Sequence, residues 1–232
     1  DKKPANKEET DKIEYCLKKY VSEYSKSGFS DEYIKDSTPG WFTDKTAYDN
    51  AKNTMLKSVY ENGGFYVGRY EAGISEFRTS NENEPTEAPS SKQNMIPYTN
   101  ITRTEAKKLA EKVNSGGYTS SLMFGIQWDL MLAFMQNKGG VDVSTLTTDS
   151  TNIGNYRNNK WSITNDKAQY STDGTWNNGS YTKGEEGAVL LTTGASDSFA
   201  KMNIYDVAGN VIEWTLECKL QEMSSKGVKL AS

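Results

Sequence analysis

The chain contains no histidine. That absence removes Ser-His-Asp and Cys-His catalysis, histidine-based zinc sites and the facial iron triad, all of which need an imidazole. Cysteine is almost as scarce. Cys16 and Cys218 lie far apart in sequence, form either one disulfide or two unrelated thiols, and stand in no metal-spaced motif. No apolar run reaches the ~20 residues of a membrane span; the richest stretch, 122–135, carries Gln127 and Asp129 and reads as a core helix. An excess of positive charge is also missing. A net charge of −4 argues against nucleic acid as a partner, because neutralising phosphates needs a basic face. The pairs Lys18-Lys19 and Lys107-Lys108 sit among acids on expected helices and read as solvated faces. The start at Asp1, with neither an initiator methionine nor a signal peptide, reads as a trimmed or mature form.

What remains is aromatic and polar. Hydrophobic content is only 35%, but five Trp, fourteen Tyr and seven Phe supply large surfaces to bury. A chain of 232 residues can therefore hold a sizeable core as one domain with an extension. Residues 1–40 form an N-terminal helical extension, in which Ile13, Cys16, Leu17, Tyr20, Val21 and Tyr24 give a helix over about 12–25. A second helix is expected over 44–61, with Ala47, Tyr48, Ala51, Met55 and Val59 as its stripe and Asn62-Gly63-Gly64 as its stop. Residues 65–73 read as a strand, and 79–94 as a surface loop. Thr102-Arg103-Thr104-Glu105 is a capping box, opening a helix striped by Ala106, Leu109, Ala110 and Val113. A further helix is expected over 121–137, with Leu122, Ile126, Leu130 and Phe134 aligned.

Residues 141–201 are dominated by Asn, Thr, Ser, Gly and Asp, with isolated aromatics. Spaced aromatics anchor long loops onto a core, so this region reads as ordered but irregular. The same loops also suit a binding surface, with Tyr156, Trp161, Trp176 and Tyr181 as candidate ligand contacts. Trp128 and Trp214 read as core anchors.

Four segments in order carry a family resemblance. Residues 65–73 look like an early strand reading Phe-x-x-Gly or Asp and then x-x-Glu. Ile101-Thr102-Arg103-Thr104-Glu105-Ala106 is similar to a Val-Thr-Trp-x-x-Ala helix start, with Arg103 in place of the Trp. Gln127-Trp128-Asp129 matches a Glu-Trp-Glu helix core. The run Asn203-Ile204-Tyr205-Asp206-Val207-Ala208-Gly209-Asn210-Val211-Ile212-Glu213-Trp214-Thr215 resembles the signature Gly-Leu-Tyr-Asp-Met-x-Gly-Asn-Val-Trp-Glu-Trp-Thr. On these residues the chain resembles the formylglycine-generating (sulfatase-modifying) enzymes and their non-catalytic relatives, including gut bacterial and prophage proteins and the variable proteins of diversity-generating retroelements.

The resemblance implies an α+β, C-type-lectin-like fold with much irregular loop over 41–217, followed by an atypical tail, 218–232, unlike the family ending. It implies a calcium ion held by the side chain of Asp206, the carbonyls of Gly209 and Val211, and the carboxylate of Glu213. Oxygen ligands of this kind suit calcium, and the glycine permits the turn that aims them. The same residues also suit a metal-free role, with Asp206 capping a turn and Glu213 and Asn210 bonding buried backbone. Asn152 and Ile153 are a partial match to a second calcium position.

Family oxidases grip copper with a cysteine pair after an Arg-Gly-Gly-Ser segment. This chain has no Arg-Gly-Gly, and Cys218 stands without a nearby second thiol. The expectation is therefore a non-catalytic domain, binding a protein or glycan ligand at a cell surface, pilus or phage particle. The competing expectation is a copper-dependent oxidase that converts a substrate cysteine to formylglycine.

Overall fold

The computed structural model describes residues 42–113, 116–147, 153–184 and 186–216. The expected extension, the tail, both cysteines and Asn152 lie outside the described residues. Helices and small antiparallel sheets are joined by long irregular connections, giving a mixed α+β chain.

Helix α1 (Lys45–Asn62) begins where the Asp44 carboxylate accepts the Ala47 N–H at 2.8 Å and ends at Gly63 in the left-handed region, as the sequence predicts. Its most buried line is Tyr48, Lys52 and Leu56, while Ala51, Met55 and Val59 flank it half-buried. Lys52 sits in that line because its aliphatic stem is buried while Nζ rides 5.8 Å from the centre of the Tyr48 ring.

Residues 65–73 do not form the expected strand. Only Gly73–Ile74 (β1) pairs, antiparallel, with Ile96–Pro97 (β2). The backbone just before β1 bonds to scattered loops instead of one ladder. The Arg69 carbonyl accepts the Tyr205 N–H, the Tyr70 N–H donates to Ser91 Oγ, and the Ala72 carbonyl accepts the Tyr98 N–H. With its partners divided among separate segments, the stretch is extended without being a sheet member.

Helix α2 (Arg103–Ala110) carries the predicted capping box: Thr102 Oγ1 accepts the Glu105 N–H, and the Glu105 carboxylate accepts the Thr102 N–H at 2.8 Å. Ala106, Leu109 and Ala110 are buried as expected. Helix α3 (Gly125–Gly139) starts later than expected, where Gln127 Oε1 accepts the Phe124 N–H at 3.0 Å. Its burial departs from a single stripe. Ile126 and Ala133 join one cluster with Tyr48 and Phe124, Met135 joins another with Val141, Ile153 and Ala208, and Phe134 is exposed. A helix packed between two clusters needs two apolar faces, which explains why its sequence is apolar nearly all round. A short helix, α4 (Val143–Thr147), follows.

The described residues of the region 141–201 are held by short strands and irregular connections, as expected. Strand β3 (Trp161–Ser162) pairs with β6 (Thr182–Lys183), and β4 (Gln169–Ser171) lies between β5 (Asn177–Asn178) and β7 (Leu190–Leu191). The aromatics make a core of their own: Trp161 meets Phe199 edge-on at 5.8 Å, and Tyr170 lies 4.2 Å from Tyr181. Lys183, fully buried beside this core, donates from Nζ to the carbonyls of Arg157 and Asn159, each at 2.7 Å, and of Gly184 at 3.2 Å.

Candidate functional site

The segment 203–216 is irregular, and its course is set by left-handed residues. Asp206, Gly209 and Asn210 have φ of 56°, 73° and 64°. Gly209 is needed for a second reason. A Cβ there would lie 2.2 Å from the Asn155 carbonyl oxygen, and one on Gly154 would lie 2.0 Å from that of Ala208. The two segments interlock through these glycines. The Asn155 N–H donates to the Ala208 carbonyl at 3.1 Å, and the Asn210 N–H to the Asn155 carbonyl at 2.8 Å.

The Asn210 side chain fills every hydrogen-bonding position it has. Oδ1 accepts the Leu191 N–H at 2.9 Å and Asn155 Nδ2 at 3.0 Å, while Nδ2 donates to Glu71 Oε2 at 2.8 Å and the Leu191 carbonyl at 3.1 Å. One amide thereby joins the segment before β1, the Gly154-Asn155 turn, β7 and its own segment. Asp206 makes a parallel link, with Oδ2 accepting the Gly194 N–H at 2.6 Å.

These links bring three carboxyl groups, Glu71, Asp206 and Glu213, to one cleft. Glu71 Oε1 and Glu213 Oε1 are buried and accept no hydrogen bond. Burial pushes Asp206 up to about 6, against the opposing Gly194 N–H. Burial first, and then the charge of Asp206, pushes Glu213 up to about 8. Glu71 is raised well above the usual carboxylate range by burial and then by the charges of Glu213 and Asp206, against the hydrogen bonds of Asn210 and Val211.

The cleft above the acids has a volume of about 910 Å³, and Tyr66, Tyr98, Tyr118, Trp128, Tyr205 and Trp214 are among its walls. Tyr66 is 86% exposed and Tyr118 66%, and their rings meet edge-on at 5.3 Å. Trp214 is not the core anchor the sequence suggests. It is 44% exposed, because its segment runs along the rim, where its indole N–H donates to the Ile101 carbonyl at 3.2 Å.

The four candidate ligand contacts are not gathered together. Trp161 is only 6% exposed and belongs to the aromatic core, with Tyr181 packed half-buried against it. Trp176 is half-buried edge-on against Phe77 at 5.6 Å. Tyr156, also half-buried, lines a smaller cavity of about 260 Å³ that Glu213 reaches too. Ile153 is buried beside Ala208.

The donor chemistry expected for calcium fits a hard cation: Glu213 offers a buried oxygen that accepts nothing, and Asp206 adds a second carboxylate. Among the described residues no three His, Cys, Asp or Glu side chains form a ready-made metal centre. An ion held here would therefore rely on backbone carbonyls, Gly209 and Val211 in the expected set, as well as on the two carboxylates. Sequence reasoning gave no role to Glu71, Asn155 or Lys183. The motif letter Glu in the 65–73 segment was the one signal for Glu71; the other two owe their roles to contacts distant in sequence.

No protein-family model matches the chain, and neither a curated protein nor a solved structure matches it.

Two outcomes follow from this geometry. Asn210→Asp keeps the shape but turns two donations into repulsion beside Glu71; it should lower stability by roughly 2–4 kcal/mol, read from urea unfolding. In chelator-treated protein the three acids keep their protons in the folded state at pH values where the unfolded chain has lost them. That stability is full below about pH 4 and disappears as pH rises through about 6 for Asp206 and about 8 for Glu213. The melting midpoint should accordingly be higher at pH 5 than at pH 8.5, and Glu213→Gln should flatten the upper part of the decline.

Proposed function

We propose that this chain is a non-catalytic ligand-binding domain, displayed at a cell surface, pilus or phage particle on a scaffold of the formylglycine-generating-enzyme type with C-type-lectin-like architecture. The observation that carries this reading is the cleft of about 910 Å³. Its aromatic walls and buried acid floor are the makings of a ligand pocket, in which apolar area supplies affinity and a few polar groups fix orientation. Among the described residues the walls carry no thiol and, in a chain without histidine, no imidazole base. Protein and glycan ligands both suit such walls, since tyrosine and tryptophan give contact area at low entropic cost.

A calcium ion belongs to the same proposal as a structural element. Asp206 and Glu213 would supply its charged ligands, Gly209 and Val211 its carbonyls. Its role would be to neutralise two buried carboxylates and fix the segment that forms one wall of the cleft. Calcium at about a hundred times its dissociation constant should raise the melting midpoint by roughly 5–10 °C over chelator-treated protein. An unchanged midpoint would remove the ion from this account.

Glycan and cell-binding arrays probed with the chain test the binding role. Retention should be lost in a Tyr118→Ala, Trp214→Ala double variant that still melts cooperatively. Incubation with copper and a Cys-x-Pro-x-Arg peptide tests the competing oxidase reading. The peptide should come back unchanged, and an aldehyde product would overturn the non-catalytic assignment.

A further inference from the structure

Glu71 stands apart from the carboxylates assigned to calcium. It is only 9% exposed, yet it lines the cleft. Its Oε2 is fixed by Asn210 Nδ2 at 2.8 Å, so the carboxylate is held in one orientation. Its other oxygen, Oε1, is buried and accepts no hydrogen bond. Leaving a buried acceptor unmatched is costly, and more so for a charged one. No positive charge among the described residues offsets it: hydrogen bonds from Asn210 and the Val211 backbone act on Glu71, but the charges that act on it are those of Glu213 and Asp206, and both are negative. If an ion of charge two matches Asp206 and Glu213, Glu71 is the carboxylate left over.

We infer that the cleft binds a primary ammonium carried on an apolar or aromatic body, with Glu71 Oε1 as its seat. This deepens the binding role proposed above and rests on it. The atoms at the floor select the head group. A guanidinium fork is best matched by two available carboxylate oxygens, and here Oε2 is already engaged by Asn210. A quaternary ammonium has no N–H to give and would leave Oε1 unmatched. A primary ammonium needs one acceptor and carries three donors.

The walls select the body. Tyr66, Tyr118 and Trp214 present large exposed ring surface around the entrance, and Val67 and Leu122 add apolar lining. Aromatic faces attract a cation as well as an apolar stem. A cleft of about 910 Å³ exceeds what a simple alkylamine fills, so the amine belongs to a larger molecule. A free arylalkylamine and a lysine side chain between aromatic residues share this chemistry.

Titration calorimetry on the full chain tests the inference, with parallel runs in calcium and in chelator. Phenylbutylamine is compared with phenylbutanol, which has the same body and no charge, and acetyl-Tyr-Lys-Tyr-amide with its norleucine analogue. The charged member of at least one pair should bind about tenfold tighter or more than its neutral partner. The pair that discriminates identifies the source, small molecule or peptide. Glu71→Gln should reduce the preference to about threefold or less, while Tyr118→Ala should weaken both members of a pair alike and leave the preference intact. Because the main comparison uses the unaltered chain, a Glu71 variant that fails to fold does not decide it. Equal binding within both pairs, or no binding of either amine, overturns the inference. An array ligand without an amine would leave the binding role standing and remove only this assignment.

Discussion

A single half-buried amide organises the centre of this molecule. Asn210 gives two hydrogen bonds and takes two, and its partners, Glu71, Asn155 and Leu191, come from three stretches of chain that are remote in sequence. An amide is the one uncharged side chain that can give and take twice in a plane. A carboxylate has no donors, and an aliphatic residue would leave Glu71, Asn155 and both backbone groups of Leu191 unmatched. With strands of two or three residues among the described residues, ladders contribute little cohesion. Networks of this kind do the joining instead, and their strength depends on every member being matched.

The acids around that amide impose the second constraint. Glu71, Asp206 and Glu213 are drawn together by the same links that hold the loops, and no lysine or arginine among the described residues acts on Glu71 or Glu213. Three like-charged groups in a low-dielectric site stay uncharged or acquire cations. The fold can accommodate either answer. Protons serve at low pH, and the proposed calcium and organic ammonium are the cations that would serve at higher pH. The site is thus inseparable from the packing that creates it, and its chemistry is a consequence of how the irregular segments are joined.

Local signals in the sequence were readable and held. The capping box at Thr102 and Glu105 and the glycine stop after Asn62 both depend on neighbours within a few residues. Where the reading departed from the structure, distance in sequence was the reason. Residues 65–73 alternate like a strand, yet their backbone partners lie on separate loops. Trp214 reads as a core residue because it is large and apolar, but its place on the rim is set by the course of residues 203–213. Trp161 looks like a ligand contact among polar neighbours and instead anchors a second core that no periodicity announced. The site was half legible. The signature supplied Asp206, Gly209, Val211 and Glu213 together, while Glu71 and Asn155 come from segments that meet it only in three dimensions.

Lys183 shows how the same economy of contacts shapes the outer surface. Its ammonium grips main-chain oxygens of Arg157 and Asn159 and ignores their side chains. Arg157 and Asn158 are exposed, and the path of this loop is held by a lysine rooted in the interior together with the Asn159 side chain, which bonds the Tyr156 N–H and the Gly154 carbonyl. Because the grip is on main-chain oxygens, exchanging the Arg157 or Asn158 side chain removes none of the bonds that Lys183 makes, and the surface there can change its chemistry while that anchor stays in place.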